Sequence, residues 1–448
     1  MIDVEQQSTI LPDENYLIVG LGLSGYSSAR FLLRQGYRCR LQDTRDLPPY
    51  LNSLRDEFGT LEFEAGPLHS DMTAWADVLV VSPGISVRQE VLQQAAANGK
   101  TVLGDIELFA HLVDRPVVAI TGSNGKSTVT TLVSEMIRCD QHRVAVGGNL
   151  GTPALDLLEQ EEIDYYVLEL SSYQLETTSS LSPKIAALLN LCEDHLDRYS
   201  SYADYVETKL LVYRNAEFCV SNLDDEMTRH DGRDVCFSLD PQSDADFRLV
   251  EDGAFWLAHR DEPWLPVDRL GISGRHNWAN ALAAMAIAHR LGISREAIVS
   301  ALQDFRGIAH RSQWVAEIDG VEWINDSKAT NVGAAQASIE GRDRPVILIA
   351  GGLSKGADMS LMFDSIRQQV KCVLLLGADA ERLQQAWQGA TEIERVDTMR
   401  AAVERARQIA TAGDCVLLAP ACASFDMYPK FEARGDDFMQ CVRELADV

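Results

Sequence analysis

Short apolar runs alternate with longer amphipathic stretches along almost the whole chain, and this alternation limits the possible folds more than any other feature. Tyr16–Val19, Val78–Val81, Val117–Ile120, Tyr165–Leu168, Ile185–Leu189, Val346–Ala350, Val373–Leu376 and Val416–Ala419 are each four or five residues of nearly unbroken apolar sequence. A strand with one wet face alternates polar and apolar residues, so runs this uniform predict strands covered on both sides. Several end in Gly, Ser or Asn and run into helical patterns. Repeated strand–loop–helix units predict α/β layers around mostly parallel sheets. The chain shows no internal repeat and no low-complexity tract.

At roughly 100–200 residues per domain, 448 residues predict two to four domains. Three blocks stand out. The first runs to about Gly104 and carries a glycine-rich turn. The second opens near Asp105, and its later part, from Phe237 to Leu270, predicts a small antiparallel elaboration. The third opens near His310, after a helical stretch from Asn277 to Phe305. A formal net charge of −27 argues against nucleic-acid binding, which needs a basic footprint. It also offers no basic surface to an anionic membrane. Nine cysteines with no Cys-x-x-Cys pair predict reduced thiols in a cytoplasmic protein. Residues Met1 to Asn15 lack the plan of a signal peptide, and no run approaches the ~18 apolar residues of a membrane span.

The segment Thr121-Gly122-Ser123-Asn124-Gly125-Lys126-Ser127-Thr128 carries the strongest chemical signal. It joins the strand Val117–Ile120 to a helix predicted from Ser127 to Cys139. Glycines let backbone N–H groups close around phosphate oxygens, and a helix N-terminus adds a positive dipole end. Lys126 can reach terminal phosphates, and the Ser127 or Thr128 hydroxyl can hold Mg²⁺. Ile120 stands where the longer Gly-x-x-x-x-Gly-Lys-Ser/Thr pattern has its first glycine, so the loop is short.

Gly20-Leu21-Gly22-Leu23-Ser24-Gly25 also follows a strand and opens a helix, with Asp43 about twenty residues later. This fits NAD, another nucleotide diphosphate, or simple tight packing. Glu169 ends the run Tyr165–Leu168, where a carboxylate can hold a hard cation or cap a helix. His195, among carboxylates in Asn190 to Asp197, suits metal binding, acid–base chemistry or a structural role. Asn277 and Asn280 open a helix, where their amides can read a base edge. His310-Arg311 can place a cation near phosphates. Asn325-Asp326-Ser327-Lys328-Ala329-Thr330 packs acid, base and hydroxyl into one turn.

Together these segments resemble the Mur ligases of bacterial cell-wall synthesis. The resemblance rests on Gly20–Gly25, Ser82–Gly84, Gly104–Phe109, Ile120–Thr131, Gly147–Gly151, Leu168–Thr178, Asp194–Tyr199, Asn325–Gly333 and Ala419–Ser424, in that order over nearly the whole chain. It implies three α/β domains: a Rossmann-like domain over 1–105 for a UDP-sugar, a P-loop-type ATP domain over 106–309, and a Rossmann-like domain over 310–448 for an amino acid. The implied activity is ATP-dependent addition of D-glutamate to UDP-N-acetylmuramoyl-L-alanine through an acyl phosphate, by a cytoplasmic monomer without membrane insertion.

By the same resemblance, Gly122, Ser123, Asn124, Gly125, Lys126, Ser127, Thr128, Asn277, Asn280, Arg311 and Asp326 would bind ATP. Ser24, Thr44, Arg45, Ser82, Gly84 and Asn149 would bind the UDP-sugar. Thr330, Lys355, Ser424 and Phe431 would hold D-glutamate. Ser127, Glu169, His195 and a carbamylated Lys209 would serve two Mg²⁺ ions, and Lys126, His195, Lys209 and Lys328 would be catalytic. Without the resemblance, Lys209 reads as a surface lysine on a helix. Leu353-Ser354 replaces an acidic residue that the family often places before Lys355, so any role of that acid either falls away or shifts to Asp358.

Overall fold

The computed structural model describes residues 14–192, 198–230, 234–272, 274–354 and 357–446, and its strands form three sheets. The first contains β1 (Asn15–Val19), β2 (Arg38–Asp43), β3 (Phe63–Ala65), β4 (Val78–Val81) and β5 (Thr101–Leu103), all parallel, in the order β3-β2-β1-β4-β5. The second contains β6 (Val117–Thr121), β7 (Val144–Gly148), β8 (Tyr165–Glu169), β9 (Ile185–Leu188), β10 (Phe218–Asn222), β11 (Asp234–Ser238), β12 (Phe247–Glu251), β13 (Phe255–His259) and β14 (Glu262–Pro266). Its order is β14-β13-β12-β11-β10-β9-β6-β8-β7. The third contains β15 (Gln313–Ile318), β16 (Val321–Asn325), β17 (Val346–Gly351), β18 (Val370–Leu376), β19 (Glu392–Arg395) and β20 (Cys415–Leu418), in the order β15-β16-β20-β17-β18-β19. This is a three-domain α/β architecture. The first two sheets fall in one compact unit and the third in another.

The apolar runs become central strands because both of their faces are covered. β1, β4, β6 and β9 are buried along nearly their entire length, and so are β17 and β20. The stretch from Phe237 to Leu270 does form antiparallel pairs, β12 with β13 and β13 with β14. They extend the second sheet, because β11 and β12 continue its parallel pairing. The helical stretch from Asn277 to Phe305 is two helices, Arg275–Leu291 and Arg295–Asp304. Gly292, at φ +89, ends the first in a left-handed conformation that suits glycine.

Each sheet order places a reversal between two parallel neighbours, and ligands in such sheets lie outside the carboxyl ends of the strands at that point. In the first sheet the reversal is between β1 and β4, which end at Gly20 and Ser82. In the second it surrounds β6, between β8 and β9. In the third, β16, β20 and β17 send their carboxyl ends into Asn325–Thr330, Ala419–Ser424 and Gly351–Ser354. Among the described residues, no helix is long and apolar enough to cross a membrane.

Candidate active site

The segment after β6 is built as a phosphate-binding turn. Gly122 and Gly125 have φ of +153 and +80, and the helix Lys126–Cys139 begins directly on Gly125. Asn190, just past β9, fixes the turn. Its carbonyl accepts from Ser123 N–H at 2.9 Å, and its side chain accepts from Asn124 N–H at 2.8 Å. A Cβ on Gly125 would overlap Asn280 Oδ1, so Asn280 packs directly beneath the loop. Asn277 belongs to the other compact unit. Lys126 Nζ donates to the carbonyls of Gly122 and Ser123, each at 2.9 Å, and so folds back over the turn.

Glu169 ends β8, which pairs with β6, and this register aims its carboxylate at the start of the loop helix. It is 2% exposed and accepts from Ser127 Oγ at 2.6 Å and from Asn149 Nδ2 at 2.5 Å. A hydroxyl and a carboxylate that meet beside a phosphate loop form an all-oxygen donor set. Mg²⁺ prefers such donors and completes its shell with phosphate and water, so these residues fit the ion. His195 and Lys355 lie outside the described residues.

Lys209 is not the surface lysine that its sequence context suggests. The helix Tyr202–Leu210 turns it inward to 2% exposure, where Nζ donates to Thr121 Oγ1 at 2.9 Å and Gly122 O at 3.0 Å. The Tyr205 ring lies 5.6 Å away, and the Tyr205 hydroxyl meets Ser123 Oγ at 3.0 Å. Lysines are almost never fully buried without partners, and this one is buried against the root of the phosphate loop.

The carboxyl ends of β1 and β4 open onto a cavity of about 580 Å³. Ser24, Thr44, Arg45, Ser82, Gly84 and Asn149 all line it, together with Asp43 and Gln174. A Cβ on Gly25 would overlap Gly20 O, so the turn needs glycine there to close. Asp43 is fully engaged within the protein. It accepts from Leu21 N–H at 2.7 Å and takes the Arg45 guanidinium on both oxygens, at 2.8 and 2.7 Å. Burial pushes its pKa up, but these hydrogen bonds win and hold it at about 2. A carboxylate so occupied is not presented to a ribose, which removes the main support for nicotinamide binding.

The third sheet gathers a separate cluster. Lys328 Nζ sits 4.4 Å from the Phe431 ring centroid, within cation–π range. Ser327 Oγ donates to Phe431 O at 2.7 Å, and Ala421 N–H donates to Ala329 O at 2.9 Å. These contacts bring Asp326, Lys328, Thr330 and Phe431 to the segment that carries the buried Ser424. Burial raises the Asp326 carboxyl pKa, against the pull of Arg342 and Arg311. His310 is a structural link here. Asn325 Oδ1 accepts from Ser327 N–H, which turns Asn325 Nδ2 toward His310 Nδ1 at 3.0 Å.

Asp358 caps the turn Met359–Met362 through Ser360. Asp379 is the acid that meets Ser354, accepting from its N–H and its hydroxyl, each at 2.7 Å.

Sequence reasoning passes over Arg434. It is 2% exposed, and its guanidinium donates to Ser327 O at 2.9 Å, Ser327 Oγ at 3.0 Å and Cys422 O at 3.1 Å. One side chain therefore joins the loops after β16 and β20. Burial lowers its pKa to about 10. The available signal was a charged residue inside the apolar periodicity of the helix Phe431–Ala446.

The chain matches three family profiles in sequence order. These are the N-terminal domain of the MurD-like Mur ligases over residues 14–104, the Mur ligase middle domain over 120–288, and the Mur ligase glutamate ligase domain over 310–422. A UDP-N-acetylmuramoylalanine–D-glutamate ligase of Pseudomonas aeruginosa is 48% identical over 448 residues, covering 98% of this chain and 100% of the relative. One of Nitrosococcus oceani is 46% identical over 436 residues, covering 96% of each chain. Among solved structures, the fold is similar to a pseudomurein peptide ligase type C from Methanothermus fervidus, with a TM-score of 0.59 and 18% identity over 97% of this chain and 100% of that one. It is also similar to a UDP-N-acetylmuramate–alanine ligase from Thermotoga maritima, with a TM-score of 0.58 and 18% identity over the same shares.

Proposed function

The chain belongs to the Mur ligase family, and from that premise we propose that it joins D-glutamate to UDP-N-acetylmuramoyl-L-alanine at the expense of ATP, in peptidoglycan precursor synthesis in the cytoplasm. Relatives named as UDP-N-acetylmuramoylalanine–D-glutamate ligases, at 46–48% identity over 96–100% of their length, support the choice of substrates. The observation that carries the chemistry is Ser127 Oγ at 2.6 Å from Glu169 at the mouth of the glycine loop.

In this reading residues 1–105 bind the UDP-sugar, 106–309 bind ATP, and 310–448 bind D-glutamate. The 580 Å³ cavity takes the sugar nucleotide, with Ser24, Thr44, Arg45, Ser82 and Gly84 around the UDP and Asn149 toward the acyl end. Residues 122–128, Asn277, Asn280, Arg311 and Asp326 serve ATP. Ser127, Glu169, His195 and Lys209 as a carbamate hold two Mg²⁺ ions. Thr330, Lys355, Ser424 and Phe431 hold the amino acid, with Lys328 facing the reacting centre. Lys209 suits a carbamate because its amine is buried at the root of the loop, and an amine that adds carbon dioxide and releases a proton becomes an anion with two oxygen donors.

The reaction then follows from positioning and charge. A carboxylate oxygen of the sugar substrate attacks the γ-phosphorus, and ADP leaves. Lys126 moves from the Gly122 and Ser123 carbonyls to the phosphoryl oxygens, where it offsets their charge. Bound Mg²⁺ supplies further charge neutralisation. The D-glutamate amine attacks the acyl carbon, loses a proton, and inorganic phosphate departs to leave the amide.

The test supplies purified protein with ATP, Mg²⁺ and UDP-N-acetylmuramoyl-L-alanine, and then adds D-glutamate or competing amino acids. Phosphate release should depend on D-glutamate. Release that is indifferent to D-glutamate, or equal with L-glutamate, would overturn the assignment.

A further inference from the structure

Asp105 is 2% exposed, yet no role in the reading above falls to it. It opens the helix Asp105–Ala110, directly after the first sheet. Its Oδ2 accepts from Gln174 Nε2 at 3.2 Å, and its Oδ1 is buried without a hydrogen-bond partner among the described residues. Burial pushes its pKa up, and the Gln174 amide, the Ile106 N–H and the Ser24 hydroxyl, which faces the same carboxyl, pull it down. Gln174 and Ser24 both line the 580 Å³ cavity, from opposite sides of the seam between the first and second sheets.

The orientation of Gln174 is not free. Its Oε1 accepts from Ser171 N–H at 3.1 Å, and Ser171 Oγ accepts from Gln174 N–H at 3.2 Å, a reciprocal capping box on the helix Ser172–Leu175. With Oε1 committed, Nε2 must point at Asp105. The remaining Nε2 hydrogen and the Ser24 hydroxyl are the polar groups that this arrangement can offer to a ligand.

We propose that Asp105 is a positioning residue for the sugar nucleotide: from beneath the cavity it holds Gln174 of the second sheet and Ser24 of the first in one register, so that both address the same ligand. This deepens the UDP-sugar reading and rests on it. Ser27 Oγ bonding Asp156 at 2.6 Å, and Arg30 pairing with Asp156 at 3.2 Å, already hold the two sheets together at their periphery. Loss of Asp105 therefore disturbs the cavity before it disturbs the seam.

The experiment measures binding of UDP-N-acetylmuramoyl-L-alanine by calorimetry without ATP, and then KM for each substrate. Asp105→Leu keeps the shape and removes the hydrogen bond to Gln174 and the carboxyl that the Ser24 hydroxyl faces. It should weaken sugar-nucleotide binding at least tenfold and leave KM for ATP within twofold. Asp105→Asn keeps an acceptor for Gln174 and a polar group for Ser24, and should stay within threefold of the parent protein. A second readout guards against misfolding. Turnover needs the phosphate loop and the seam intact, so a KM for ATP within twofold in Asp105→Leu marks a folded protein. Unchanged binding in Asp105→Leu, equal rises in both KM values, or a loss of binding in Asp105→Asn as large as that in Asp105→Leu would overturn the proposal. Failure of the parent protein to bind the sugar nucleotide would instead overturn the function reading beneath it.

Discussion

Replacing Gly125 with alanine tests whether the glycine loop is shaped by the groups beneath it. Gly125 has φ +80, a left-handed conformation that costs a residue with a Cβ about 1–2 kcal/mol. The added Cβ would also overlap Asn280 Oδ1. Asn280 is 8% exposed on the helix Arg275–Leu291, so it cannot withdraw into solvent. Overpacking of this kind typically costs a further ~1–3 kcal/mol. The sum, roughly 2–5 kcal/mol, is relieved only if the loop moves away from the position that receives phosphate. At about 1.4 kcal/mol per tenfold, the variant should bind ATP at least ~30-fold more weakly. Titration calorimetry with a non-hydrolysable ATP analogue and Mg²⁺ measures this directly. Gly22→Ala is the control, because Gly22 has φ −74 and no atom lies within 4 Å of its added Cβ; it should leave ATP affinity unchanged. Gly125→Ala protein that binds the analogue within twofold of the parent would refute the reasoning.

Lys209→Ala should lower turnover more than ~100-fold, and the parent protein in ¹³C-bicarbonate should show a carbamate resonance that the variant lacks; a fully active variant, or no resonance, contradicts the carbamate. Arg434→Lys replaces a planar fork by one ammonium that cannot reach the acceptors on Ser327 and Cys422 together. KM for D-glutamate should rise about tenfold or more, with ATP binding by the isolated first step unchanged. Burial pushes the Glu107 carboxyl up, but hydrogen bonds from His111, Ser179 and Ser180 hold it at about 2, against an ordinary 4.5. Its stabilisation is therefore complete above pH 4.5 and is lost as pH falls toward 2. Glu107→Gln should cost about 1–3 kcal/mol at pH 7, after discounting for screening, and the difference in urea midpoint should vanish in that acid window.

The parts of the fold set by local pattern were legible in the sequence. Val78–Val81 and Val117–Ile120 read as strands because both faces must be apolar, and Gly-Lys-Ser-Thr at a helix start pointed to phosphate. The break at Gly292 was harder, because a single glycine inside a helical pattern is usually tolerated. Burial of Lys209 depends on Thr121 and Gly122 meeting it from another element, which no helical period reveals. Asp379 comes to Ser354 from the end of the neighbouring strand, a meeting that Leu353-Ser354 alone do not announce. Arg434 carried no motif, and Asp105 stood in the matched segment Gly104–Phe109 with no role attached to it. Their importance arises from burial beside loops that converge only in the folded sheets.

The claim that this loop activates a substrate carboxylate is tested most directly with isotopic oxygen. UDP-N-acetylmuramoyl-L-alanine carrying ¹⁸O in its alanyl carboxylate would be converted with ATP, Mg²⁺ and D-glutamate, and the released phosphate analysed by mass spectrometry. Attack of that carboxylate on the γ-phosphorus predicts one ¹⁸O in each phosphate, with ADP formed in equal amount. Phosphate without the label, or release of AMP in place of ADP, would contradict the account.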